Sequence, residues 1–594
     1  MQNDAVWTEG GTWDFSHDAV WHSEARTTAQ GWIALMAIPF RSLRFRPDDV
    51  QQWGIFLYRG IPRKNEEAYW PAYSSEVAGR LNQEGDMDGL ASVSPGRNVQ
   101  FIPYSSMLAA RTPLRSTTAA DAGVDAKMIL RDSLVADATL NPDFSQVESD
   151  EPQETVNQRF EVFFPEKRPF FIENASYFDT PLQLLFTRRI ADPQRGLKLT
   201  GKAGRYGIGA LVIDDRSPGE IAAPGDALFG KRALFRALRV TRDVGVDSTV
   251  GGVFVQRTAG GESNAVAGAD ARLRIAPNWI ATLQGVASRT ASPDGRRAGG
   301  SALHGRILGS WTSGSYQLDL DDLSHDFRAD AGFIARAGIR RAQQAILYRV
   351  RSSEGAIVSW GPDINVSRVE DARGGGWLER AVQTKFSIEL PRLTTISAAA
   401  LRSSQRLIPA EFPLVADPLA LRDDRWGVEM TTSAIPRTTA YVEYTGGTAI
   451  NFVPAAGLLP YSAATRTAVA TLEVHPSDVM TLQSNVIDTE LRGAFRHRVV
   501  RMKIGYQFTR ALSVRAIVAR DRLDAAAALA SLVPYKRLNA DFLVAWLLTP
   551  GTAVYAGYNT NYANDPSLES PYTALTLRND HRQLFVKLSY LVRF

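Results

Sequence analysis

A period of two governs most of this chain, and it persists over roughly 500 residues. From Asn98 to the C-terminus, segment after segment alternates apolar with polar residues, with short turns between them. In RVVRMKIGYQF, Val500, Met502, Ile504, Tyr506 and Phe508 share one face, and Val499, Arg501, Lys503, Gly505 and Gln507 share the other. Ala468, Ala470, Leu472 and Val474 likewise oppose Thr467, Thr471, Glu473 and His475. Leu538, Ala540, Phe542, Val544, Trp546 and Leu548 oppose Asn539, Asp541 and Thr549. Successive residues of a strand point to opposite faces, so each segment offers one lipid-like face and one that carries charge.

Soluble sandwiches alternate too, so other features must decide. The segments are about ten residues long, which suits a tilted strand crossing a bilayer, whereas soluble strands average about five or six. Aromatic residues recur near segment ends (Trp311, Trp360, Trp377, Trp426, Tyr444, Tyr562), as an interfacial girdle requires. The longest uncharged apolar stretch, 525–535, has about half the length of a membrane-spanning helix. The expectation is an all-β chain built on a large transmembrane antiparallel β-barrel. At about 18 residues per strand and connection, the segment yields roughly 25 strands. Barrels prefer even counts, so the range is 24–26, with 26 favoured and 24 next. Side chains cannot fill so wide a lumen, and it must be plugged or conduct water.

The last strand, LFVKLSYLVRF, puts Val586, Leu588, Tyr590, Val592 and the terminal Phe594 on one face. It resembles the assembly signal of bacterial outer-membrane barrels, which implies the barrel assembly machinery and membrane lipid as partners. With no cysteine, disulfides, thiolate metal sites and cysteine nucleophiles are all excluded. Sixty-seven basic against 63 acidic residues leave a net charge of +4, no field that points to nucleic acid. The opening MQNDAVWTEGG has neither a basic nor an apolar signal region, so either the protein is cytoplasmic or the chain begins inside a longer precursor.

Residues 1–95 hold six of the twelve tryptophans and read as a compact β-rich unit. WIALMAIPF (32–40) and QQWGIFLYR (51–59) have strand length and flank a turn-forming FRPDD, which predicts Trp32 and Trp53 in a core. Residues 96–594 are assigned to the barrel.

One stretch breaks the period. Residues 142–182 carry several prolines and crowd five phenylalanines into Phe160–Phe171. A loop of about 40 residues is uncommon unless functional or folded inward. Phe163, Phe164, Phe170 and Phe171 need an apolar home, and Pro165 and Pro169 lack the donors of a central ladder. The segment is therefore read as a lumenal plug or constriction. Glu166, Lys167 and Arg168 between the phenylalanine pairs are expected to anchor it to lumenal charges. Asp143, Glu148, Asp150 and Glu151 at its start are expected to meet arginines such as Arg188 and Arg189; the alternative is a calcium ion at Asp143, Glu148 and Asp150. No other cofactor is implied.

NPDFSQVE, then RFEVFFPEKRPFFIE, then LLFTRRI is similar to the hallmark of a group of bacterial outer-membrane proteins of unknown function. That group joins an N-terminal carbohydrate-binding-module family 9-like domain to a C-terminal barrel. GWIALMAIPFRSLRF, WGIFLYRGIPRKNEEAYW and DMDGL resemble the second half of its N-terminal domain, so residues 1–95 would be a partial β-sandwich on the periplasmic side. Sugars in such modules stack on aromatic rings with polar groups around them. Here that implies Trp13, Trp21, Tyr69 and Trp70, with Arg63, Asn65 and Glu66 as hydrogen-bonding neighbours.

No serine-nucleophile elbow, zinc-protease helix or phosphate-binding loop occurs, and no catalytic residues are assigned. Two functions remain: an outer-membrane conduit or binding protein for carbohydrate or other polymer-derived solutes, or a membrane-associated glycoside hydrolase using Glu148, Asp150 and Glu151.

Overall fold

The computed structural model of the chain describes residues 5–594 except 8–12, 15–20, 41–42, 44, 46–48, 62–65, 75–76, 78, 95–98, 114, 131–132, 145–146, 219–225, 227, 246, 353–354, 550 and 565–576. From Val99 to Arg593 every strand pairs antiparallel with its neighbours in sequence, and the last pairs with the first to close a barrel. Twenty-six ladder segments make 24 strands, because two pairs of segments are each one interrupted strand. These are Ile339–Tyr348 with Val350–Arg351, and Arg578–Ser589 with Val592–Arg593. The favoured count of 26 is thereby corrected to 24. Most strands exceed the expected ten residues, reaching 17 in Tyr461–Ser477, so each consumes more chain.

Closure is made by the chain ends. Arg582 to Ser589 pair with Arg111 to Tyr104, and the Phe594 N–H donates to the Val99 carbonyl at 2.9 Å. An even strand count puts both barrel ends on one side. That side also carries the tight turns at 204–205, 277–278, 312–313 and 478–479. The longer connections, 324–338, 408–418 and 452–460 among them, lie at the opposite end.

The alternation read from sequence is a real division of faces. In Phe495–Gln507, Val500, Met502, Ile504 and Tyr506 are exposed outward, while His497, Val499 and Arg501 are buried inside. On the last strand Leu584, Val586 and Leu588 face out, and Phe585 and Lys587 face in. Interior positions are not uniformly polar, however. Leu211, Ile213, Phe235, Val253, Val255 and Val286 line one side of the interior and form a single apolar cluster with Phe171, Leu182, Leu184 and Ile190. Those four belong to the connection 141–192.

The described residues before the barrel form four two-stranded antiparallel pairs. They are Val6–Trp7 with Trp13–Asp14, His22–Thr28 with Gly31–Ala37, Trp53–Ile55 with Gly85–Met87, and Leu57–Ile61 with Glu66–Trp70. These pairs do not join into one sheet among the described residues. Trp53 sits in an aromatic trio with Phe40 and Phe45, at centroid distances of 6.0 and 5.0 Å. Trp32, expected in the core, is instead 59% exposed with the Arg59 guanidinium over its ring.

Candidate functional site in the barrel lumen

The strand Leu134–Leu140 stops at seven residues, and the chain turns into the barrel at Asn141, in a left-handed conformation (φ 53°). Asn141 Nδ2 donates to the Ala122 carbonyl at 2.9 Å, and the Tyr104 hydroxyl donates to the Asn141 carbonyl at 2.8 Å. Gly123 permits this close approach, since a Cβ there would lie 2.4–2.5 Å from the Tyr104 hydroxyl and the Asn141 and Leu140 carbonyls.

From there the connection crosses the lumen and touches the wall on both sides. Lys587 Nζ donates to the Asp143 carbonyl at 2.5 Å, Lys127 to Glu173 at 2.6 Å, and Lys198 to the Phe170 and Glu173 carbonyls at 2.6 and 2.9 Å. On the far wall Glu148 accepts from Arg501 at 2.6 Å and Lys503 at 2.8 Å, with Arg515 at 3.4 Å. Glu154 and Asp521 hold the two ring nitrogens of His497, each at 2.9 Å. Asn157 bridges the Ile450 carbonyl and the Phe452 N–H at 2.8 and 2.7 Å. Arg159 donates to Glu379 at 3.0 Å and Gln405 at 2.9 Å, and also pairs with Glu411. The inward reading of 142–182 thus agrees with the geometry, though the inserted stretch runs on to residue 192.

The two halves of the insert are held differently. Residues 148–161 meet the far wall through charged and polar groups, with Val156 as their apolar contact there. Residues 170–190 sit in the large apolar cluster. Phe171 is buried in it, and Phe170 and Phe144 pack against it. Phe163 remains 41% exposed but joins Phe186 and Phe333 in a trio with centroids 5.1–5.3 Å apart. Phe164 lies beneath the Arg188 guanidinium.

Glu166, Lys167 and Arg168 do not anchor to the wall, which corrects the sequence expectation. Glu166 accepts from Arg168 Nε at 2.8 Å, from the backbone N–H groups of Lys167 and Arg168, and from the Thr187 hydroxyl at 2.7 Å. Arg168 also donates to the Ile190 and Thr187 carbonyls at 2.7 and 2.9 Å, and Lys167 to the Ser149 carbonyl at 2.9 Å. The trio ties the insert to itself. Burial pushes the Glu166 carboxyl up, but hydrogen bonds and charge from Arg168 outweigh it and hold the group below the usual carboxylate range.

Of the opening acids, Glu148 and Asp150 meet basic side chains. Asp150 pairs with Arg188, Glu161 with Arg189 at 2.9 Å, and Glu151 is exposed. Glu148 faces three basic side chains; burial raises its carboxyl, and Lys503 and Arg501 more than reverse that, leaving it below the usual range. Such an ionised group is unsuited to act as the protonated acid of a glycosidase pair. Among the described residues no three His, Asp or Glu side chains converge as metal ligands.

Between residues 153–162 and the far wall lies a lumenal cavity of about 900 Å³. Thr445, Thr467 and Thr489 are cross-strand neighbours along it, and the Thr467 hydroxyl donates to Thr489 at 3.3 Å. Five carboxylates line it (Glu154, Glu161, Glu379, Asp423, Glu443) against two guanidiniums, Arg159 and Arg425. Sequence reasoning missed Glu154, Asn157 and Arg159, as well as this hydroxyl row.

Of the sugar-site candidates, Arg63 and Asn65 lie outside the described residues, and Trp13 is placed only as backbone in a short strand. Trp21 is half-buried and Glu66 exposed. Tyr69 and Trp70 are successive on one strand and so face opposite ways. The Tyr69 ring packs with Phe56, Tyr58 and Tyr73 at 5.2–5.3 Å, and its hydroxyl donates to Glu67 at 2.5 Å. Trp70 is exposed.

A family profile described as Domain of unknown function (DUF5916) matches residues 95–201, the first strands and the insert. No curated protein matches the chain. Among solved structures, it is similar to a mutant ferric enterobactin receptor, PfeA, from Pseudomonas aeruginosa, with 10% identity over 83% of this chain and 81% of that one (TM-score 0.44). The copper transporter OprC shares 9% identity over 84% and 80% (TM-score 0.38). Pseudomonas aeruginosa OccK3 shares 11% over 84% and 96% (TM-score 0.26). These likenesses concern barrel architecture alone.

Proposed function

We propose that this chain is a bacterial outer-membrane conduit whose lumen is narrowed by the insert 141–192 and favours cationic or hydroxyl-rich solutes, carbohydrate among them. The lumenal cavity carries the reading: among its carboxylates Glu443 accepts from the Tyr441 hydroxyl rather than from a basic side chain, which leaves a charge to attract cations, as acidic rings do in cation channels. Its threonine row offers donors and acceptors to a polyhydroxylated solute. Short turns mark the periplasmic end of such barrels, which would put residues 5–94 in the periplasm. Barrel assembly machinery would insert it through the closing strand.

Reversal potentials across planar bilayers under a potassium chloride gradient test this. Cation preference is expected, and Glu443→Gln with Asp423→Asn should reduce it. An anion-selective or non-selective current would count against the proposed lumen.

A further inference from the structure

On the outer face, the strands Ser116–Leu130, Leu134–Leu140, Pro193–Ala203 and Tyr206–Pro218 leave two adjoining apolar cavities of about 560 and 490 Å³. The register places Ala126, Ala138, Leu197 and Val212 in one row across all four strands. These residues alternate with inward Asp125, Asp137 and Lys198, so the row faces the membrane. Both cavities share it, which makes them one groove. Toward the short-turn end the groove continues past Ala136 and Ala210 to Phe101.

Its other end is cationic. Arg195 and Arg232 donate to the two oxygens of Asp214 at 2.9 and 2.7 Å. Beside that pair Arg216 bonds Asp192 at 2.8 Å, and Arg236, directly across from Val212 of the groove row, bonds the neutral Gln256 at 2.9 Å. Arg195 and Arg232 thus set two guanidiniums against one carboxylate at the long-loop end, where an outer leaflet presents its headgroups.

We propose that this groove holds an acyl chain of a membrane lipid while the arginine cluster binds that lipid's anionic phosphate. The inference rests on the chain spanning a membrane. Alanine side chains leave the groove room that leucine at those positions would fill, and a guanidinium pair that shares one carboxylate keeps a positive charge that matches a phosphate. A second copy of the chain docked by a two-fold axis would bring the same cationic cluster against itself, which disfavours that occupant.

Native mass spectrometry tests the site on the full chain, released from nanodiscs of phosphatidylcholine containing a minor share of phosphatidylglycerol. Each basic residue near a membrane surface contributes enough to predict phosphatidylglycerol retention on the order of tenfold above its bulk share. Arg195→Glu with Arg232→Glu should abolish that enrichment, and Ala138→Trp, which fills the groove without touching charge, should lower it. Heat-modifiable migration on gels shows that each variant is folded, and either variant alone suffices to decide. Retention at the bulk share, or retention indifferent to both changes, overturns the proposal. A dimer lost in the same variants assigns the groove to a second copy and also overturns it. Failure of the unaltered chain to enter nanodiscs defeats the membrane reading itself, a result distinct from unselective lipid retention.

Discussion

Arg501 and Met502 are adjacent in sequence and serve opposite solvents. Arg501 is buried against Glu148 of the insert, and Met502 is 55% exposed on the outer wall. Met502→Arg should therefore destabilise the inserted barrel by about 2–4 kcal/mol near the bilayer midplane. Asn539→Arg, on the lumenal face where Asn539 bonds Asn561, should cost about 1 kcal/mol, one net hydrogen bond. Denaturant titration in lipid vesicles measures both, and equal costs would mean that the faces are misassigned. Glu148 predicts a pH response. Its folded value lies below that of the unfolded chain, so its docking contribution is complete at pH 7 and down to about pH 5. It is lost as pH falls through the lowered value. Single-channel current should rise on acidification below about pH 4, and Glu148→Gln should show the raised current already at pH 7. A current unchanged to pH 3 in the unaltered protein would remove Glu148 from the anchor.

Among the elements, the closing strand was the most legible, because its lipid face is apolar without interruption from Leu584 to Leu588. Phe594 is 75% exposed, meets Phe101 edge-on at 6.2 Å, and bonds Val99 through its backbone. Deleting Phe594 should reduce the yield of heat-modifiable protein in outer membranes, and a normal yield would show that closure proceeds without it. The alternation was readable wherever lipid and lumen differ in chemistry. It is flattened in Tyr206–Pro218, where inward Leu211 and Ile213 are as apolar as outward Val212, because the insert packs on that wall. Strand number was overcounted for a related reason: strands continue past the apolar band, and their polar ends read as connections. In the insert, aromatic content and proline pointed inward correctly. The self-pairing of Glu166 and Arg168 was not legible, since local charge order says nothing about which partner a fold brings near. Glu154, Asn157 and Arg159 were missed because His497, Ile450 and Glu379 lie hundreds of residues away.

At the scale of the whole molecule, the insert divides a wide lumen into two unlike halves. One half is filled: Phe171, Leu182, Leu184 and Ile190 pack against the wall and leave it dry. The other is bridged by residues 148–161, held by Glu148, Glu154, Asn157 and Arg159, with the polar cavity beside them. The two halves should respond differently to surgery. Replacing 148–161 with a glycine-serine linker of equal length removes the polar anchors and spares the apolar packing, so the barrel should fold in normal yield and carry a larger, noisier current. Removing 145–180 behind a short glycine-serine bridge also takes Phe171 from its cluster, a loss of about 3–5 kcal/mol for that residue alone, and wets the wall at Leu211, Ile213 and Phe235. That variant should conduct as well, but with lower folded yield and an earlier thermal transition. Yield by gel shift and conductance in planar bilayers separate the outcomes. If the linker variant inserts normally and its current matches the unaltered protein, the bridge does not restrict the pore, and solutes pass elsewhere or not at all.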